Sequence, residues 1–308
     1  MNMKNTENKN IALTVFTPTY NRAYCLHKCY ESLKRQTSKE FQWLIIDDGS
    51  TDNTYELVQE WINEECVLIE YIYQENQGMH GAHNTAYKNC NTELNVCIDS
   101  DDYMTDNAVE KINEYWRKYG DNRYSGIISL DITKSGSIIG SRLPDSKRAI
   151  TLSSFYAKGG TGDKKLTYRT EVMRKYPDYP IFVGEKYVGL NYKYLLADQD
   201  YTMLVMNEPI CVVEYMEDGS SMNMVKQYMN NPKGFAFYRK TTMLYAPNFK
   251  RKFIECVHYV SSTIISKNKH FLSESPCKLT TFLAVPFGVI LYLYIRNVNN
   301  SKVFKGNQ

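Results

Sequence analysis

From residue 11 onward, apolar runs of strand length alternate with stretches whose apolar residues recur every three or four positions. Two parallel strands need a crossover of a dozen or more residues, and a helix supplies it, so this alternation predicts βαβ units on a mostly parallel sheet. IALTVFT (11–17) reads as the first strand, and Leu26, Cys29, Tyr30 and Leu33 then share one helical face. FQWLIID (41–47) is the second strand, followed by a stripe of Leu57, Val58, Trp61 and Ile62. VLIEYIY (67–73), a helix from Gly78 to about Cys90, and LNVCID (94–99) repeat the unit. Thr105 is the expected cap of a helix bearing Ala108, Ile112, Tyr115 and Trp116. GIISLDI (126–132) is expected to continue the sheet, after which loops take over until an apolar run at 203–215. The fold class is therefore α/β, a mostly parallel sheet flanked by helices.

In open α/β sheets, ligands bind beyond the carboxyl ends of the strands. Here strand one ends in Thr17-Pro18-Thr19-Tyr20-Asn21-Arg22, strand two in Asp47-Asp48-Gly49-Ser50 and strand four in Asp99-Ser100-Asp101-Asp102. Three strands thus deliver polar ends to one crevice. Asp52 and Thr105 read best as helix caps. The two acidic clusters are different, because their mutual repulsion calls for a hard divalent cation, Mg²⁺ or Mn²⁺, which would also bridge a diphosphate. There is no GxxxxGK[ST] and no GxGxxG, which excludes P-loop and dinucleotide chemistry. His80 and His83 fall in NQGMHGAHN, close to the expected phosphate site, where an exposed loop histidine is the plainer reading.

Charge is unevenly spread. The net charge is +3, yet residues 221–308 carry 13 Lys or Arg against only Glu255 and Glu274. The expected division is a sheet domain over 1–220 and a basic, partly apolar helical extension over 221–308. Within the latter lies LTTFLAVPFGVILYLYI (279–295), 17 residues long and interrupted by Pro286 and Gly288. That is short of the roughly 20 residues a bilayer crossing needs. Flanked by Lys278, Arg296, Lys302 and Lys305, it is expected to lie on an anionic membrane surface. Nucleic acid is not an expected partner, since the basic residues are confined to one end with no accompanying motif. The polar N-terminus MNMKNTENKN has no apolar run, so a cytoplasmic location, peripheral at the inner membrane face, is expected. Eight cysteines without a CxxC read as reduced, mostly core thiols.

PTYNR after strand one, DDGSTDNT after strand two, ENQG followed by Asn84, and DSDD after strand four resemble, in order and spacing, the consecutive motifs of family 2 glycosyltransferases with the GT-A fold. The match covers about residues 10–130, and GEKYVG (184–189) and NEPICVVEYMEDGSS (207–221) resemble the acceptor half of bacterial members that build surface polysaccharides. The resemblance implies an inverting, metal-dependent transfer of a sugar from a nucleotide sugar, most readily a UDP-sugar, to a glycan acceptor that is expected to be lipid-linked. It implies that Thr17, Tyr20 and Arg22 line the nucleoside pocket, that Asp48 rather than Asp47 receives the base, that Asp99 faces ribose and sugar, and that Asp101 holds the metal. The general base implied by the family's acidic pair falls on Glu185, although Lys186 replaces the second acid; Asp198 and Asp200 in LADQDY are the competitors. DGSS at 218–221 resembles a segment that closes over the donor. Other readings are a non-catalytic glycan- or membrane-binding module and a sugar nucleotidyltransferase, the latter disfavoured by PTYNR in place of a Gly-rich, basic loop.

Overall fold

Strand β1 (Leu13–Thr19) is buried along its whole length, as a central parallel strand covered on both faces must be. A computed structural model of the chain describes residues 12–214 and 224–305; the expected joint near 220 and the DGSS segment lie outside the described residues. After β1 come α1 (Ala23–Lys34), β2 (Phe41–Asp47), α2 (Thr54–Glu64), β3 (Ile69–Tyr73), α3 (Met79–Asn89) and β4 (Leu94–Cys97). Then follow β5 (Tyr103–Met104), α4 (Ala108–Tyr119), β6 (Tyr124–Ile132), β7 (Ala149–Ile150), α5 (Leu152–Ala157), β8 (Lys164–Arg169), α6 (Thr170–Lys175), α7 (Asn191–Asp200) and β9 (Thr202–Val212). The remainder is helical: α8 (Met224–Asn230), α9 (Pro232–Leu244), α10 (Phe249–Ile265), α11 (Phe271–Glu274) and α12 (Lys278–Lys305). The chain divides into two compact units, and among described residues the first comprises 12–76, 82–177 and 197–214, the second 77–81, 178–196 and 224–305.

The first unit holds one mixed sheet in the order β3-β2-β1-β4-β8-β6-β9-β5, with β7 on β9. The four strands read as βαβ units pair in parallel. The fifth does not continue them. β6 is separated from β4 by β8, which runs antiparallel to both. β8 escaped the sequence reading because KKLTYR begins with two lysines and reads as loop. Thr105 does not cap α4, which starts at Ala108; its hydroxyl donates to the Pro209 carbonyl (3.2 Å) instead.

Beneath the sheet, Tyr30 stacks on Trp61 (centroids 4.4 Å apart) and Trp43 lies 5.8 Å from Trp61. The Trp43 indole N–H donates to the Thr17 hydroxyl (2.9 Å) and the Tyr30 hydroxyl to Glu64 (2.7 Å), so both of these polar groups of the aromatic cluster are satisfied. Cys25, Cys29, Cys90, Cys211 and Cys256 are buried free thiols, Cys97 and Cys277 are half-buried and Cys66 is exposed. Burial pushes the Cys29 thiol up to about 12, which makes it inert.

In the second unit, Ala236, Met243, Cys256, Tyr259 and Ala284 form the core of α9, α10 and α12. A Cβ on Gly288 would lie 2.5 Å from the Val260 side chain, so only glycine lets α12 approach α10 this closely. Arg239 pairs with buried Glu255, which also accepts from the Thr242 hydroxyl (2.9 Å). Although burial acts against its charge, these partners hold the Glu255 carboxyl below its usual range.

Trp43→Ala should cost about 3–5 kcal/mol of unfolding free energy. Trp43→Phe should still cost about 1–3 kcal/mol, because it leaves the Thr17 hydroxyl buried without its donor. Urea unfolding followed by circular dichroism measures both.

Candidate functional site

The parallel register sets the site. Thr19 pairs with Asp47 across β1 and β2, Asp47 with Tyr73 across β2 and β3, and Phe16 with Cys97 across β1 and β4, so the three loops leave one edge side by side. Short-range hydrogen bonds then lock the first two together. Asn21, at φ 53, turns its side chain back so that Oδ1 accepts from the Thr51 N–H (2.7 Å), while its own N–H donates to Ser50 Oγ (2.9 Å). The Asp48 N–H donates to the Thr19 carbonyl (2.8 Å). Asp52 does not hold a cap position, which falls to Arg22 for α1 and Asn53 for α2, but it accepts from Ala23 N–H (3.1 Å) and Thr54 N–H (3.1 Å) and so ties the starts of α1 and α2 together. Gly49 sits at φ +88 with Asn76 N only 2.9 Å from where a Cβ would stand, so both its conformation and its contact require glycine.

The acids after the strands have separate employments. Asp47 is buried and closes its turn, accepting from Ser50 N–H (2.7 Å) and from the Tyr71 hydroxyl (2.5 Å). Asp48 accepts from Gln74 Nε2 (2.7 Å), and Gln74 Oε1 in turn accepts from the Thr85 hydroxyl (2.5 Å), a relay that fixes the carboxylate. Asp99 and Asp101 are half-buried at the end of β4. Between them and the sheet, Asp102 turns inward: it is 4% exposed and accepts from the Glu214 N–H (3.2 Å). Tyr20 is half exposed and Arg22 half-buried, the latter donating to the Tyr24 hydroxyl. The Cys25 thiol, pushed up by burial, feels the charges of both Arg22 and Asp101, which puts the first and fourth strand ends within electrostatic reach of each other. Thr17 is the exception. Its side chain is fully buried against Trp43 and does not reach the strand ends.

Sequence reasoning missed the cation below the acidic turn. Lys165 on β8, its side chain 11% exposed, places Nζ 3.7 Å from Asp102 and 3.9 Å from Asp131. Burial acts against its charge, but Asp131, Cys211, Asp102 and Asp99 outweigh it and hold the ammonium well above its usual range. Burial in turn pushes Asp102 up to about 7 even though Lys165 opposes the shift. His80 and His83 are both buried on α3 rather than exposed on a loop. Burial lowers His80 to about 4 and keeps it neutral, and His83 packs edge-on against Phe16 with Nδ1 3.2 Å from the Tyr87 hydroxyl.

Of the three candidate bases, Glu185 is buried in the second unit, its two oxygens accepting from Lys233 N–H (3.1 Å) and Gly234 N–H (2.9 Å) at the N-terminus of α9. Asp198 accepts from Leu152 and Ser153 N–H groups (3.2 and 2.7 Å) at the start of α5, and burial raises its pKa. Asp200 is exposed and paired with Lys175 (2.7 Å) and the Tyr176 hydroxyl (2.7 Å). Each is therefore tied to a helix start or a surface ion pair.

Comparison with known proteins supplies the context. The model of the family described as "Glycosyl transferase family 2" matches residues 14–176, more than half of the chain. Glycosyltransferase GlyA of Streptococcus pneumoniae is 38% identical over 107 residues, which is 33% of this chain and 15% of that protein. Chondroitin synthase of Escherichia coli is 36% identical over 106 residues, 34% of this chain and 15% of its own length. The chain thus spans a small part of these relatives. Among solved structures, S. aureus TarS in complex with UDP-GlcNAc superposes with a TM-score of 0.58 at 15% identity, over 94% of this chain and 92% of that one. The mannosyltransferase PcManGT from Pyrobaculum calidifontis, in complex with GDP-Man and Mn²⁺, gives 0.53 at 13% identity over 92% and 87%. These two show a shared GT-A fold.

Lys165→Met keeps most of the length of the apolar stem and removes the charge. It leaves Asp102 and Asp131 without their counter-charge, an expected loss of about 3–5 kcal/mol near neutral pH. Raised folded-state carboxyl pKa values make stability fall as pH rises, so the deficit should narrow on acidification towards about pH 4, where the folded-state carboxyls are protonated and those of the unfolded chain are becoming so. Thermal melts of both proteins across this range check the sign.

Proposed function

The chain belongs to glycosyl transferase family 2, and on that premise we propose that it is an inverting, divalent-cation-dependent enzyme that moves a sugar from a UDP-sugar onto a glycan acceptor in bacterial polysaccharide synthesis. The acceptor is lipid-linked and the enzyme works at the inner face of the cytoplasmic membrane, its basic helical unit in contact with lipid. The observation that carries this reading is the convergence of Tyr20, Arg22, Asp48, Asp99 and Asp101 on one edge of the parallel strands, with the loops after β1 and β2 tied together through Asn21 and Asp48 held by Gln74. Nucleotide-sugar ligands named for the fold relatives favour such a donor.

In this reading Tyr20 and Arg22 flank the nucleoside, Asp48 takes hydrogen bonds from the base, and Asp99 takes them from ribose and sugar. Thr17 contributes through its main chain, its hydroxyl being taken by Trp43. The chemistry of the donor set fits Mn²⁺ or Mg²⁺: Asp101 offers hard carboxylate oxygens, half-buried at a strand end. Among the described residues no three His, Cys, Asp or Glu side chains form a cation cage, so an ion held by Asp101 would fill its remaining shell with diphosphate oxygens and water. A divalent cation held by Asp101 would supply Lewis-acid stabilisation of the departing diphosphate.

Inversion requires one displacement at the anomeric carbon. The acceptor hydroxyl attacks from the face opposite the diphosphate while a carboxylate takes its proton. Glu185 is the base proposed here, since the two α9 amides hold its carboxylate in one orientation and leave further lone pairs on both oxygens.

A thermal-shift screen of UDP, GDP and CDP with and without Mn²⁺ tests the donor site; a cation-dependent rise with UDP is expected, and it should vanish in Asp101→Ala. No rise with any nucleotide would leave a glycan- or membrane-binding module. Glu185→Gln should lower kcat by roughly 10²–10⁴-fold with UDP affinity unchanged. Because the new amide turns an N–H towards an α9 amide, its melting curve is recorded alongside. Unchanged kcat there, with a loss in Asp198→Asn, reassigns the base.

A further inference from the structure

We propose that α12 lies in the plane of an anionic bilayer, embedded along one face and not crossing it. The inference deepens the membrane contact proposed above and rests on it.

The helix has two chemically distinct sides. Thr281, Ala284 and Ile295 are buried, with Gly288 pressed on Val260 of α10. On the other side, every exposed residue from Leu279 to Tyr294 is apolar, and Leu279, Phe282, Leu283, Phe287, Ile290 and Tyr294 are each more than half exposed. Their three-to-four spacing makes one continuous stripe, a surface that a chain living only in water does not leave bare. Phe253 of α10 sets its ring edge-on to Phe287 (5.5 Å between centroids), and the two helices frame an open apolar groove of about 470 Å³ lined by Phe253, Val257, Phe287 and Ile290.

Length and composition alone would let Lys278–Asn300 cross a membrane, at a mean hydropathy of 1.7. Packing argues otherwise. Crossing would either strip the α12 inner face from α10 or drag α10 into the hydrocarbon, together with Arg251, Glu255 and His258 and the buried pair between Glu255 and Arg239. Either costs far more than lying at the interface, where the outer stripe alone is buried.

Charge selects the occupant. Lys278 and Arg296 project at either end of the stripe, Lys250 and Arg251 are exposed at the start of α10, and the surrounding segment carries 13 cations against two acids. A second copy of this face would bring like charges together, whereas an anionic bilayer pairs them with headgroups.

The test is vesicle flotation of the full chain. Binding to phosphatidylglycerol-containing vesicles is expected, with little to phosphatidylcholine alone, and it should weaken at about 0.5 M salt, where screening shortens to a few ångströms. Leu283→Glu combined with Ile290→Glu should cut binding roughly tenfold or more, while its UDP-dependent thermal shift stays unchanged; loss of that shift in the unaltered chain would instead strike the donor reading. Leu283→Trp and Ile290→Trp, read with brominated lipids, should both report a shallow position. Deep quenching at 290 would mean a crossing helix, and no flotation on anionic vesicles, or a dimer dissolved by the double Glu variant, would overturn the proposal.

Discussion

An ammonium taken out of water needs acceptors or counter-charges around it, and for Lys165 these are carboxylates. Its position on β8, between β4 and β6, puts one positive charge below a turn that carries three aspartates in four residues. Asp102 and Asp131 answer it from either side. With Asp102 drawn inward, Asp99 and Asp101 are left as the half-buried acids of that turn. The division of labour among neighbouring acids is thus set from underneath, by a residue that never touches the crevice.

The same logic of prior commitment runs through the other strand ends. Asp47 spends its carboxylate on a turn, Asp48 is held by Gln74, and Asn21 bridges two loops from a left-handed backbone. Groups that must meet a ligand in one geometry are most effective when other groups have already removed their freedom. The crevice is rigid because its walls are bonded to each other.

The first half of this was legible. Parallel strands buried on both faces show as near-continuous apolar runs, and FQWLIID and IALTVFT announced β2 and β1 directly. Polar clusters at their ends pointed to one candidate crevice, and the motif series identified the family over the stretch that its model also matches. What failed to show were features that depend on the tertiary neighbourhood. KKLTYR looks like a loop until Asp102 and Asp131 surround its second lysine. The helix from Gly78 was legible, but its two histidines read as exposed until the neighbourhood of α3 buries both. The motif position of Thr17 says nothing of its hydroxyl, which is taken by the Trp43 indole of the neighbouring strand β2. Propensity and periodicity speak for backbone; which way a polar side chain turns is decided by partners far along the chain.

The place of β8 in the sheet also orders events during synthesis. β1 to β4 are contiguous and can pair as they leave the ribosome, but the open edge of β4 waits for a strand made some 65 residues later. Until then a nascent chain presents an unpatched strand edge beside a turn of uncompensated acids, whose charge discourages other strands from docking there. The aspartates of that turn would thus serve first as gatekeepers, guarding an unfinished sheet against its neighbours.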